Sequence, residues 1–349
     1  MRYFLALLLL TLSNIGNAQS DTEFLDLVAL SIKAVVQVVV EMPIKVIETT
    51  LPPGMGVPNK KNKTPEDEPN PMYASGTGFI IDGGYIITNY HVIDEGVEIR
   101  LFFEGIRNPI YATVLAADEE VDIAVLVTEE KLPDNIIPLK WTNTVVRRGQ
   151  DIWILGHPNG LDFTFSKGHV SHTDRRIFSE WQRNIQVDAL IDHGNSGGPV
   201  FNMDGEVVGI SSAIMSKVDT FTGVGIAIHH TLAEDAVMKL IRYGEIIRPM
   251  MGIIIGYDPD LRVVTADKVQ PGSPGEKAGM QDGDQILKLD GHPIIKMGDV
   301  FDVLMERAPG DVAIMTVSRN DKILELPITF TKRPPVIADS MPQEPVESK

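Results

Sequence analysis

Gly194-Asn195-Ser196-Gly197-Gly198-Pro199 runs directly into the apolar pair Val200-Phe201. A serine held in a glycine-rich turn between strand-like segments can expose its hydroxyl while neighbouring backbone N–H groups converge where an oxyanion would sit. By residue type alone the same turn is also an ordinary hairpin connection. Two earlier segments add the missing chemistry. Tyr85-Ile86-Ile87-Thr88-Asn89-Tyr90-His91 is a β-rich run reaching a single histidine, and Asp122 heads the apolar strand Ile123-Ala124-Val125-Leu126-Val127. A carboxylate at the start of such a strand is costly to bury without a donor, and the His91 imidazole is the natural one.

Acyl transfer by a serine needs a base for the hydroxyl proton, a carboxylate to fix the base's tautomer, and donors for the oxyanion. The catalytic set is therefore Ser196 as nucleophile, His91 as general base and then acid, and Asp122 as orienting carboxylate. The chain order His, Asp, Ser is the chymotrypsin order, and the turn around Ser196 is not the G-x-S-x-G elbow of α/β-hydrolases. The oxyanion hole is assigned to Gly194, Asn195 and Ser196, through the N–H groups of the outer two. Leu190 and Ile191, with Ile210, Ser211, Ser212 and Ala213 from the strand beginning at Gly209, are expected to line the primary substrate pocket. No acidic residue stands at its base, which favours small or medium apolar side chains over Lys or Arg.

The elements that must position these groups are short. Between Ser75 and Ile228, β-branched runs are broken by Gly, Asn and Asp, the pattern of closed antiparallel barrels. His91 and Asp122 fall in a first barrel and Ser196 in a second. Upstream, Asp21-Thr22-Glu23 caps a short helix carrying Phe24, Leu27, Val28 and Leu30, followed by a strand over Ala34 to Val40. Thr231-Leu232-Ala233-Glu234 reads as a capping box opening a helix that Gly244 ends. The expected fold class is mainly β, a two-barrel chymotrypsin-like protease domain over residues 21–245 and a second β-rich domain over 248–332.

Composition sets the outer limits. The chain has 349 residues, 43% of them apolar, and carries a net charge of −17 from 31 basic and 48 acidic residues. That acidity argues against nucleic acid as a partner. There is no cysteine, which excludes thiol chemistry and disulfides. The other histidines, among them His157, His193, His229 and His230, make no ligand spacing, so neither a metal nor another cofactor is called for. His193 reads as a solvent-facing loop residue and the His229-His230 pair as surface polar. Residues 1–18 have the layout of a cleaved signal peptide ending Gly16-Asn17-Ala18, with an uncleaved membrane anchor as the alternative. Residues 49–73, with Lys60-Lys61 and Glu66-Asp67-Glu68, read as a mobile insertion loop, and 333–349 as a disordered tail.

Several blocks in order resemble the signatures of the HtrA (Deg) family of trypsin-like serine proteases. These are Ser75-Gly76-Thr77-Gly78-Phe79, Thr88-Asn89-Tyr90-His91-Val92, Asp122-Ile123-Ala124-Val125-Leu126, Leu155-Gly156-His157-Pro158-Asn159-Gly160 and Gly194 to Pro199. Two positions depart from the family pattern. Asp192-His193 replaces its usual Asn-Pro before the serine turn, and His157 replaces its usual asparagine. The C-terminal region, with Met250-Met251-Gly252-Ile253 and Gly283-Asp284-Gln285-Ile286, looks like one PDZ domain, in which Met250 to Ile253 would bind a peptide's terminal carboxylate. The resemblance implies a periplasmic or secreted endopeptidase of protein quality control. It further implies unfolded or damaged polypeptides as substrates, C-terminal peptides as PDZ ligands, a homotrimer or higher homo-oligomer, and Arg175 as a regulatory loop residue. Two other functions remain open on sequence: a peptide-binding chaperone or scaffold with a latent triad, and a membrane-anchored regulatory protease.

Overall fold

A computed structural model describes residues 21–43, 72–214 and 223–333. The leader, most of the expected insertion loop and all of the expected tail but Arg333, whose N–H donates to Arg248 O, lie outside the described residues. The chain divides into two compact units, one ending at Ile246 and the other starting at Ile247.

The first unit opens with helix α1 over residues 21–31, then a single turn of 3₁₀ helix, Ile32–Ala34. Six strands follow: β1 (Val35–Met42), β2 (Met72–Ile80), β3 (Ile86–Thr88), β4 (Glu98–Phe103), β5 (Ile110–Asp118) and β6 (Ile123–Thr128). They close into a barrel in the order β1-β2-β3-β6-β5-β4. Met72 and Tyr73, expected to end the loop, instead pair with Met42 and Glu41 as the first rungs of the β1–β2 ladder. A second closed barrel runs β10-β11-β12-β9-β8-β7. Its strands are β7 (Asp151–Gly156), β8 (Thr164–Arg175), β9 (Asn184–Val187), β10 (Pro199–Phe201), β11 (Val207–Ile214) and β12 (Gly225–His229).

Each barrel buries its own apolar interior, as alternation along antiparallel strands requires. Val36, Val38, Phe79, Leu101 and Leu126 are fully buried in the first. Ile152, Ile154, Val170, Ile185, Val187, Val200 and Val208 form the core of the second. Trp153 stacks on Phe201 at 4.0 Å between centroids, and its Nε1–H donates to Asn202 O at 2.8 Å. Phe24 meets the Trp153 ring edge-on at 5.9 Å, which docks α1 onto the second barrel.

The closing helix of this unit, α3 (His230–Tyr243), starts one residue before the expected capping box. His229 is its N-cap, accepting from Thr231 N–H through Nδ1, and Gly244 ends it at φ 75°. The His229-His230 pair is therefore not surface polar. Both residues are 5% exposed and their rings stack at 4.6 Å. Burial holds His229 well below the usual histidine range, at about 3, and pushes His230 down too, with Arg183 adding to both effects.

That burial fixes an acid response. Unfolded, His229 binds a proton below its ordinary value of about 6.5, whereas folded it stays neutral down to about 3. The unfolded state holds more protons across that window, so stability falls as pH drops through it, by about 1.4 kcal/mol per pH unit for one such ring. His229→Asn keeps a capping side chain but cannot titrate. Urea unfolding at pH 6.5 and 4.5 is expected to show a smaller acid loss in that variant; an equal loss would place the sensitivity elsewhere.

The second unit contains β13 (Pro249–Met250), β14 (Ile253–Asp258), β15 (Val263–Val269), α4 (Pro274–Lys277), β16 (Gln285–Leu289), β17 (His292–Pro293), α5 (Met297–Met305), β18 (Val312–Arg319), β19 (Lys322–Thr329) and β20 (Thr331–Lys332). The main sheet runs β14-β15-β16-β18-β19, leaving one side of β14 as an edge. Asp284 is 1% exposed and accepts a bidentate pair from Arg319 at 2.6 and 2.7 Å, with Gln281 N–H on the same carboxylate. The fork geometry ties the loop before β16 to β18 and satisfies a charge that would otherwise be prohibitive to bury.

Candidate active site

His91 sits in the one-turn helix α2 (Tyr90–Ile93), directly after β3, and Asp122 immediately precedes β6. β3 and β6 are paired, with Thr88 opposite Ala124, and this brings the two side chains together across 31 residues. His91 Nδ1 lies 2.9 Å from both carboxylate oxygens, and His91 N–H donates to Oδ1 at 3.1 Å. A carboxylate only accepts, so Nδ1 carries the proton and Nε2 is left with a lone pair. Asp122 holds φ 56°, in the left-handed region, and Asn89 Nδ2 donates to its carbonyl at 2.7 Å. Asn89 is fully buried and braces this strained position.

Ser196 comes from the second barrel, in the loop that precedes β10. Its two flanking peptides and the one before them are anchored. Asn195 N–H donates to Asp192 O at 2.9 Å, and Gly194 O accepts from Thr77 Oγ1 at 2.6 Å. Asn195 O accepts from Gly198 N–H at 2.9 Å. Ser196 O accepts from Thr77 N–H at 2.8 Å, and Gly197 N–H donates to Ser211 O at 2.7 Å. The Asp192 to Asn195 turn has Gly194 at φ 96°, the position where a type II turn requires glycine. The next glycine is forced by close approach, because a Cβ on Gly197 would run into Thr77 O and Thr88 Oγ1 of the first barrel. Among the described residues neither Gly194 N–H nor Ser196 N–H has an acceptor, and both are left able to donate. Asn195, placed in the hole by the sequence, is committed elsewhere. Its N–H closes the turn and its Nδ2 donates to Leu190 O at 3.3 Å.

The Ser196 hydroxyl donates to Ser212 O at 2.9 Å rather than to His91. Ser212 Oγ in turn donates to Asp122 Oδ2 at 2.9 Å. Ser212, expected as pocket lining, thus joins the nucleophile and the carboxylate through one residue of β11. Of the other expected pocket residues, Leu190 is 42% exposed, while Ile191, Ile210 and Ser211 are at most 1% exposed, Ile191 within the core of the second barrel. The Ala213 side chain lies outside the described set. His193 is exposed. Arg175 ends β8 and donates to Gln186 Oε1 at 3.1 and 3.2 Å. In the second unit, Met250 belongs to β13, Met251 is buried, and Gly252 and Ile253 lead into β14. Gly252 O accepts from Gln270 N–H, and Met251 O accepts from Gly275 N–H.

Thr77, Asn89 and the triad-facing hydroxyl of Ser212 are the contributors that sequence reasoning did not assign. Their roles are bonds to residues 33 to 119 positions away, for which no local spacing exists. Among the described residues no group of His, Asp or Glu forms a metal site, and no helix is long and apolar enough to cross a membrane.

Comparison with known proteins agrees with this arrangement. The trypsin-like peptidase domain family matches residues 76–210 and the PDZ domain family residues 265–319. A protein of Pseudomonas savastanoi pv. phaseolicola named "Probable periplasmic serine endoprotease DegP-like" is 34% identical over 302 residues, 82% of this chain and 61% of its own length. A protein of the same name from Rhizobium meliloti is 32% identical over 296 residues, 78% of this chain and 57% of its own. The chain thus spans about three fifths of the curated relatives it matches. Among solved structures, the HtrA-type protease AlgW with a tripeptide superposes with a TM-score of 0.74 at 24% identity, covering 89% of this chain and 98% of that one. The serine endoprotease from Yersinia pestis superposes at 0.65 with 28% identity, covering 89% of this chain and 98% of that one.

Proposed function

Since the chain belongs to the HtrA (DegP-like) family of trypsin-like serine proteases, with a peptidase domain followed by a PDZ domain, we propose that it is a serine endopeptidase of the periplasm, made with a cleaved leader, that cuts unfolded or damaged polypeptides. The observation that carries the reading is the His91–Asp122–Ser212 cluster facing Ser196, with Gly194 and Ser196 N–H groups left as donors. Ser196 Oγ adds to the scissile carbonyl while His91 Nε2 takes its proton. The oxyanion is held by the two N–H groups. The intermediate collapses to an acyl-enzyme as His91 returns the proton to the leaving amine, and water then repeats the sequence in reverse. In the resting arrangement the Ser196 hydroxyl must turn from Ser212 O toward His91.

The PDZ unit would supply regulation. The free edge of β14 suits strand addition by an extended peptide, whose terminal carboxylate would sit at the Met251-Gly252-Ile253 turn. Incubating the protein with unfolded casein, with and without a peptide ending in a free apolar carboxylate, tests the reading. Cleavage after Val, Ala, Ile or Leu is expected, with turnover raised by the acid peptide and not by its amide. Cuts mostly after Lys or Arg would overturn the specificity, and equal effects of acid and amide the carboxylate site. Absence of cleavage under every condition would leave the scaffold reading.

A further inference from the structure

His157 takes no part in the chemistry above, yet it is wholly buried beside the nucleophile loop. It follows β7, and its ring meets Phe163 edge-on at 4.6 Å. Phe163 is itself held at φ 50°, unusual for a bulky residue. Both the backbone N–H and ring Nδ1 of His157 lie 3.2 Å from Thr77 Oγ1, the oxygen that donates to Gly194 O.

Thr77 Oγ1 has one hydrogen and two lone pairs. With the hydrogen on Gly194 O at 2.6 Å, both contacts from His157 must be donated to it. The His157 ring is then the neutral Nδ1–H tautomer, with a bare Nε2. That nitrogen is buried with no partner among the described residues. A buried acceptor left unpaired is better tolerated than a buried N–H left unpaired. Burial also keeps the ring neutral, holding His157 at about 4.

We propose that His157 is a positioning residue for the oxyanion loop, acting through Thr77: by occupying both lone pairs of the Thr77 hydroxyl it commits that hydroxyl's only hydrogen to the Gly194 carbonyl. Without the ring donor, the hydroxyl is free to rotate toward other acceptors, and the Gly194–Asn195 peptide loses one of its two anchors. Gly194 N–H is then placed less accurately for the oxyanion, where displacement on the ångström scale is expensive in rate.

The inference rests on the endopeptidase reading, and its test separates the two. A fluorogenic peptide with an apolar residue before the scissile bond is assayed with the full chain, with His157→Phe, Thr77→Val and their combination, and with Thr77→Ser. Urea midpoints report folding. His157→Phe and Thr77→Val are each expected to lose about 10- to 100-fold in kcat with little change in KM. The double variant should be no slower than the worse single one, because both break one linkage, and Thr77→Ser, which keeps the hydroxyl, should recover most of the loss. An unchanged kcat in His157→Phe, losses that multiply, or a loss carried by KM would each overturn the proposal while leaving the protease reading intact. If the variants do not fold, ¹⁵N-histidine NMR of the unaltered protein decides. His157 with its proton on Nδ1 is the expected result, and a proton on Nε2 overturns the proposal. That measurement stands even if the parent chain cleaves nothing.

Discussion

Ser196→Ala should lower turnover of an unfolded polypeptide by about 10⁶-fold, because the members of a triad act as one unit and the loss of the nucleophile removes the covalent route altogether. The fold should survive the change. Ser196 Oγ makes one hydrogen bond, to Ser212 O, whereas the loop is held by backbone bonds from Thr77, Ser211, Asp192 and Gly198 that alanine leaves in place. The variant should therefore unfold in urea at the parent midpoint and bind peptide substrates as the parent does. Retained cleavage, in a preparation free of contaminating protease, would remove Ser196 from the chemistry.

Asp122→Asn is the second large effect, and its cause is the tautomer rather than the charge alone. The carboxylate accepts from His91 N–H, His91 Nδ1–H and Ser212 Oγ–H. An asparagine in the same place accepts through one oxygen and presents an amide N–H to one of these donors. Facing Nδ1 with a donor, the imidazole moves its proton to Nε2 and can no longer take one from Ser196. The expected loss is about 10⁴ in kcat with KM little altered. A variant whose kcat stays within about tenfold of the parent would show that the carboxylate does not set the base, since tautomer control is the whole of its assigned role.

The nearness of His91 to Asp122 could be expected from sequence because acyl-transfer chemistry demands particular residue types beside glycine or at strand ends, and the barrels because alternation and turn residues recur with short spacing. What could not be read are interactions made across long separations. Thr77 lies 117 positions from the Gly194 carbonyl it holds, and Asn89 braces the backbone of Asp122 from 33 positions away. Both lie in segments that resemble the family's signatures, but residue type gives neither one its partner. His229 and His230 look like surface residues because histidine is polar, yet packing at the junction of β12 and α3 buries both. The same packing makes His229 the helix cap, a role its residue type does not advertise. Ile191, which the sequence places beside the site, also packs in the core of the second barrel, because sequence position gives nearness to a site without giving direction. Met72 and Tyr73 close a proline-rich, charged run whose composition hides the strand that begins with them.

The central claim is that Ser196 Oγ is a nucleophile activated by His91. A fluorophosphonate probe tests it most directly: attack by an activated serine expels fluoride and leaves a stable phosphonyl ester, which mass spectrometry locates by residue. The account predicts a single adduct per chain, on Ser196, lost in His91→Ala and formed faster when an acid-terminated peptide is present. An adduct on a different serine, or one on Ser196 that forms equally fast without His91, would contradict it.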